Sequence, residues 1–458
     1  MIADAAQTAD IRITDVTAEG TSIHAEVERS RRLRRFFDDE RFFVEYDTDV
    51  SALPESILTI PVLAHVSPLA WATGADVHVP TVDERYLQSL RAVGTVLAEM
   101  YPALMEGGRV IAEDVPAWSS LAWRSDESAP PESDAESDVA TLFTGGVDSL
   151  TTYIRHREEE PSLVYIQGWV VGIDEDERWE RTKRVIEEYG RRFGVQARFV
   201  RSNMLSFLDW PMLIAHFSRY HDGGWYSAVA GGLGLTGLVA PLTVANGYRR
   251  LYVPATVWRG MSAPAIVDHW EGIGMPWGSH PEIEGNIGWA ETEPVHDGGE
   301  LSRQERIGVI AEYVRQSDRS DLLVRSCGDS ERAANCNQCE KCFRTGFGLA
   351  LEGIDPAKHG FELGPEDFDR TRANLESGDW IHNEHHANYW TDMRARDPPE
   401  DFPVAGGAEF FEWLQTADLD ANARSPTPLG QRTLHTAMRT VPYPVYRNVK
   451  SLYESLNG

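Results

Sequence analysis

The stretch TLFTGGVDSLTT, residues 141–152, sets two glycines, an aspartate and several hydroxyl residues between an apolar stub and a segment that reads as a helix. A loop that joins a strand to a helix can hold phosphate. The free N–H groups of the helix start point at the anion, and the helix dipole favours negative charge there. Gly145 and Gly146 let the backbone curl around an anion with no β-carbon in the way. Thr144 and Ser149 offer hydroxyl donors, the helix is read from Ser149 onward, and Asp148 can orient a metal or the loop itself. The same residues also fit a capped turn, in which Asp148 or Ser149 bonds the first helical N–H groups. The loop lacks the lysine of a Walker motif and the three spaced glycines of a dinucleotide fingerprint.

Outward from this loop, strand and helix patterns alternate. VATLF, LVYIQGW, ARFVRS and RRLYVPATV read as strands, ERWERTKRVIEEYGRRFG as a helix, and a buried helix is expected around Ala230. The alternation predicts an α/β fold with a parallel sheet, helices on both faces and ligands at the carboxyl ends of the strands. Upstream, DIRITDVTAEGTSIHAEVE (10–28) reads as a hairpin, RFFVEYD and ILTIPVLAHV as strand-like, and 83–101 as a helix. The expected layout is an N-terminal α+β accessory domain (1–123), an acidic Ser/Pro linker (124–138), the parallel-sheet core (139–350) and a helical C-terminal region (351–458).

The chain has 458 residues and a formal net charge of −29, with lysine only at Lys183, Lys341, Lys358 and Lys450. An acidic, lysine-poor surface points to molar salt, where the Debye length falls to about 3 Å and self-repulsion is screened. The charge then reports the solvent rather than a partner. The amino terminus shows no basic region followed by an apolar core, as a secretory signal would. The stretch 226–247 approaches spanning length but is broken by glycines and a proline, so a buried core helix, no membrane partner and a cytoplasmic location are expected.

All four cysteines, Cys327, Cys336, Cys339 and Cys342, fall in one C-x8-C-x2-C-x2-C cluster. Four thiolates so spaced can close a tetrahedral Zn²⁺ site with no open position, hence a structural one. An iron–sulfur cluster and a disulfide pair are the alternatives.

Thr-Gly-Gly-Val-Asp-Ser resembles the Ser-Gly-Gly-x-Asp-Ser loop of the ATP pyrophosphatase (PP-loop) family, with threonine for the first serine. Together with the cysteine spacing some 180 residues on, and with the helix ELSRQERIGVIAEYVRQ before it, residues 139–350 resemble the 7-cyano-7-deazaguanine synthase branch of that family. The resemblance implies a PP-loop core with a zinc knuckle and an ATP-dependent ligase that adenylates a carboxylate or amide for attack by ammonia or an amine. It implies ATP, Mg²⁺ and Zn²⁺ as cofactors, a nucleotide site at Thr144, Gly145, Gly146, Val147, Asp148 and Ser149, and roles in the reaction for Asp148, Ser149 and Arg303. Arg303 takes the place of a lysine in the family's helix.

The family's substrate-side motifs are not evident, so the acid could be a small molecule or borne on a macromolecule. His280, Pro281 and Glu282 lie on a loop where substrate could sit, with His280 also readable as a solvated turn former; His296, Asp297 and Arg303 follow. His382 and His386 suggest a metal pair or a solvated helix face, and tryptophans such as Trp225, Trp258, Trp270, Trp277 and Trp289 suggest nucleobase stacking or packing. Two other readings stand beside the ligase: a PP-loop tRNA sulfur transferase, disfavoured by the lack of a basic RNA surface, and a non-catalytic nucleotide-binding scaffold. Nucleic acid is the less favoured partner, and a homodimer is left open.

Overall fold

The structure is a computed structural model that describes residues 9–120, 137–221, 223–263, 265–267, 269–317, 321–327, 334–381, 384–419 and 429–457. The stub before the glycine loop is a strand, Val139–Leu142, at the heart of a ten-stranded sheet. In chain order the strands are β1 (Asp10–Glu19), β2 (Ser22–Arg29), β3 (Arg41–Tyr46), β4 (Asp76–Thr81), β5 (Val110–Asp114), β6 (Val139–Leu142), β7 (Ser162–Gln167), β8 (Ala197–Ser202), β9 (Arg250–Pro254) and β10 (Glu293–Asp297). They lie in the spatial order β10-β9-β6-β7-β8-β3-β2-β1-β4-β5. The five strands β10, β9, β6, β7 and β8 are all mutually parallel.

Successive side chains of a strand point to opposite faces, and β7 shows where they go. Val164 and Ile166 join one apolar core, which also holds Leu238 and Val239 of the helix Gly231–Ala245. Leu163 and Tyr165 join another, with Leu150, Ile186 and Ile310 from the helices Val147–His156, Asp176–Phe193 and Arg303–Gln316. Helices therefore cover both faces, as the β/α alternation predicts. The apolar helical stretch Tyr226–Ala245 is long enough to span a membrane, and 94% of its 18-residue apolar window is buried inside the protein.

Two expectations are overturned. The N-terminal strands do not build a separate domain: β3 pairs antiparallel with β8, through Val44↔Ser202 and Tyr46↔Val200, so one sheet runs through both halves. Their apolar residues enter the same core, where Ile11 and Leu63 sit with Val164 and Leu251. The physical reason is edge protection, since β8 would otherwise end the parallel sheet with a row of unpaired backbone groups. Secondly, ILTIPVLAHV is helical, in a short turn Glu55–Leu58 and the helix Ile60–Ala72. Every residue of that helix is buried, and a continuous apolar run carries no period to tell helix from strand. It lies so close against the helix Gly231–Ala245 that a β-carbon at Gly237 would overlap Ala64.

The hairpin over 10–28 forms with Gly20 at φ +57° in its turn. Beyond residue 351 the described chain is largely helical, and Phe343, Phe347, Phe368, Trp390 and Phe410 form a small aromatic core there. The final helices, Leu429–Thr440 and Tyr443–Asn457, return to the N-terminal half, where Tyr446 donates to Asp209 at 2.9 Å and Lys450 contacts Asp38 at 2.6 Å.

Candidate functional site

The glycine loop leaves β6 at its carboxyl end and turns into the helix Val147–His156. Gly145 has φ +73°, and a β-carbon there would sit 2.7 Å from the ring of Tyr189, so this position has two reasons to be glycine. Gly146 is the N-cap, in extended conformation and with no side-chain cap. The capped-turn alternative, in which Asp148 or Ser149 bonds the first helical N–H groups, is thus not what forms. Ser149 Oγ instead reaches back to the Gly146 carbonyl at 3.2 Å and accepts from the Thr144 N–H at 3.2 Å. The Thr144 and Ser149 hydroxyls lie 3.4 Å apart, so the loop is closed by its own hydroxyls while the helix start stays open.

Arginines fix the loop from behind. Arg303 donates to both oxygens of Asp148 at 2.8 Å, and Arg306 donates to Oδ1 at 2.8 Å. Arg306 is only 1% exposed. Its guanidinium also donates to the carbonyls of Ala255, Val257 and Gly298, which tie the ends of β9 and β10 to the loop helix. Burial works to raise the Asp148 pKa, but Arg303 and Arg306 together hold it below the usual carboxylate value. Both oxygens are thus engaged, and Asp148 acts as the anchor of the loop.

A third arginine comes from the cysteine segment. The Arg325 N–H donates to the Gly145 carbonyl at 2.8 Å, and its guanidinium donates to the Thr144 carbonyl at 2.9 Å. Two residues on lies Cys327. The four Sγ atoms fall within 4.8 Å of one another, with Cys327 and Cys342 at 3.3 Å and Cys336 and Cys342 at 3.7 Å. A Zn–S bond of about 2.3 Å implies a tetrahedron edge of roughly 3.8 Å, so the spacing suits a four-thiolate metal site. The cysteines are free, not disulfide-bonded. Backbone N–H groups already point at sulfur, from Cys336 to Cys327 at 3.2 Å and from Gln338 to Cys336 at 3.4 Å. Hydrogen bonds from Cys339 and Cys342 pull the Cys327 thiol far below its ordinary value. The cluster can hold a metal ion such as zinc, and Arg325 ties it to the glycine loop.

The C-terminal region also reaches the site. Arg344, in the helix Glu340–Leu351, lies 3.8 Å over the ring of Tyr389 and pairs with Glu340 at 2.6 Å. Burial opposes its charge, but Glu340, Tyr389 and Asp148 hold its pKa above the ordinary value. Asp392 accepts from the Gln304 N–H at 2.8 Å, at the start of the helix that carries Arg303 and Arg306.

Of the residues singled out from sequence, Thr144 to Ser149 and Arg303 come together, and the four cysteines come together beside them. The others do not join as open ligands. His280 is buried, not solvated: it caps the turn Pro281–Glu284 through Nδ1, and its Nε2 lies 2.6 Å from the Ile273 carbonyl. His296 is buried 3.3 Å from Glu284, while Asp297 contacts His156 at 3.0 Å and Arg155 at 3.4 Å on the opposite face. Trp225 and Trp289 are fully buried packing residues. His382 lies outside the described residues, and with it the proposed His382/His386 pair.

Arg306, Arg325, Arg344 and Tyr389 were not foreseen. Arg306 carries one signal, its place three residues after Arg303 on the same helical face. Comparison of the chain with family models, with curated proteins and with solved structures returns no match.

Proposed function

We propose that this protein is an ATP-dependent, AMP-forming carbon–nitrogen ligase of PP-loop type, similar to 7-cyano-7-deazaguanine synthases. The observation that carries the reading is the loop Thr144–Ser149, which opens an uncapped helix at the carboxyl end of a central parallel strand. A helix start of this kind presents N–H groups to an anion, and the neighbouring arginines add positive potential.

In the proposed reaction a substrate carboxylate oxygen attacks the α-phosphorus of ATP, forming the O–P bond as pyrophosphate leaves. Ammonia or an amine then attacks the acyl carbon, AMP departs, and loss of a proton gives the amide. A second adenylation, at the amide oxygen, would expel AMP again and leave a nitrile. Gly145 and the N–H groups of Val147 to Ser149 would hold the departing pyrophosphate with donors already in place, aided by the hydroxyls of Thr144 and Ser149, while the Gly146 N–H donates to the Thr144 hydroxyl at 3.3 Å and shapes the loop. Arg303 and Arg306 would keep Asp148, and through it the helix start, in position. Since both Asp148 oxygens are held by arginine, Mg²⁺ would arrive on the phosphates of the nucleotide. The cysteine knuckle would hold Zn²⁺ with all four positions filled, a structural role that keeps Arg325 against the loop.

The test is incubation with α-labelled ATP, ammonia and a panel of carboxylic acids, including deazapurine acids. AMP and pyrophosphate are expected; ADP as product would overturn the reading. Asp148→Ala should abolish both nucleotide binding and turnover, and a variant that kept both would remove the loop from the site. Metal analysis of protein purified without air should give about one zinc per chain, and iron with acid-labile sulfide would replace the zinc assignment.

A further inference from the structure

A second region gathers positive charge, far along the sheet from the glycine loop. In a chain with 72 acidic and 43 basic residues, the segment 29–35, RSRRLRR, carries five arginines. Three of them, Arg31, Arg32 and Arg35, line a cavity of about 600 Å³ together with Arg219, His216 and Tyr220. Tyr443, from the last helix, and the aromatic residues Phe36 and Phe217 complete its wall. Glu106 is the one acidic residue in the lining.

None of the four arginines is in an ion pair with a carboxylate among the described residues. Arg35 is spent on the fold: it donates to the carbonyls of Arg439 at 2.9 Å and Val441 at 3.0 Å, and to His216 Nε2 at 3.3 Å. Arg32 donates only to the Thr73 carbonyl at 2.7 Å, and Arg219 to the Tyr220 hydroxyl at 2.7 Å while lying 4.6 Å over that ring. Arg31 and Arg219 are exposed. His216 in the same lining is held neutral, its pKa pushed down to about 4 by burial and by Arg35, Arg439 and Arg219.

Guanidiniums that line one cavity with no carboxylate paired to them repel one another, and among the described residues Glu106 is the only acidic side chain that shares it. An anion with several oxygens relieves that repulsion through forked hydrogen bonds, which arginine forms better than lysine. The volume falls in the range of small-molecule sites, and the half-buried rings of Tyr220 and Tyr443 stand at its wall for a planar ring, while Phe36 and Phe217 are buried and stacked on each other.

We propose that this cleft binds a nucleotide, with phosphates on Arg31, Arg32 and Arg219 and the base against the aromatic wall. That chemistry is shared by a free nucleotide and by the end of a nucleic acid strand. Titration calorimetry separates the sources, using ADP in one arm and a 5′-phosphorylated RNA trinucleotide in the other, on the full chain and on an Arg31→Glu, Arg219→Glu double variant. The difference between the two proteins isolates this cleft from any binding at 144–149. At least one ligand should lose 10-fold or more in affinity in the variant, and the arm that loses it identifies the source. Circular dichroism checks that the variant folds, and Arg31→Gln with Arg219→Gln serves in its place if charge reversal disturbs the fold. Equal affinities in variant and parent for both ligands, or no cleft-dependent heat from either, would overturn the proposal.

Discussion

Two regions of this molecule concentrate arginine, and they use it in opposite ways. Around the glycine loop Arg303, Arg306 and Arg325 are committed to Asp148 and to backbone carbonyls through their terminal nitrogens, and the buried Nε of each is left without a partner among the described residues. In the cleft by Arg31 the guanidiniums have few partners and no carboxylate among the described residues. Arginine at the loop builds the shape of a site, whereas arginine at the cleft is available to a ligand. Substitutions at the first should therefore cost stability, and at the second should cost binding alone.

The largest effect is expected at Arg306. Arg306→Met would leave Asp148 and the carbonyls of Ala255, Thr256, Val257 and Gly298 without this buried donor, and breaking such a network costs about 3–5 kcal/mol. Denaturant unfolding should show it as a lower midpoint with an unchanged slope; a loss below about 1 kcal/mol would mean that the loop does not depend on this cage. Next is Gly145→Ala, where a positive φ and the Tyr189 ring both resist a β-carbon, for about 2 kcal/mol. A neutral result would show that the loop relaxes freely.

The pH dependence supplies two smaller effects of opposite sign. Asp148 is depressed by its arginines, so its contribution is present above the ordinary carboxylate value and is lost as pH falls through the lower folded value. Asp148→Asn should flatten that acid limb. His156, at the other end of the same helix, contacts Asp297 and Glu159 at 3.0 and 3.1 Å, and stacks on Tyr252 at 3.7 Å. Burial opposes its charge, but the two carboxylates raise its pKa above 6.5, so its contribution is full below that value and is lost as pH rises through the folded one. His156→Gln should remove the alkaline limb of the melting profile, and an unchanged limb would place its origin elsewhere. Smallest of all is the effect of Arg31→Gln with Arg219→Gln on unfolding, within about 0.5 kcal/mol. A larger loss would erase the distinction between the two regions.

The parallel half of the fold was legible because each strand and helix there is amphipathic or uniformly apolar on its own scale, and the turns between them are polar. What the pattern could not reveal was pairing between distant strands. Nothing local in RFFVEYD says that it will lie beside ARFVRS, and the acidic linker invited a division that the sheet does not make. The glycine loop was readable because backbone conformation restricts residue choice, and the cysteines because metal spacing does. Arg306 was hidden for the converse reason: an arginine in a polar helix reads as a solvated face, and only the folded chain shows it enclosed.

The Arg325 strap joins two chemistries in one short segment, since the same few residues run from the glycine loop into the thiol cluster. Free energy placed at either end is shared with the other, and such coupling is reciprocal. If the loop takes an anion and the knuckle a metal, an anion that tightens the loop should raise the affinity of the knuckle for its metal, and loss of the metal should weaken the anion's binding by the same factor. The cysteine cluster thereby becomes a reporter, readable by metal affinity alone, of what happens at the carboxyl end of β6.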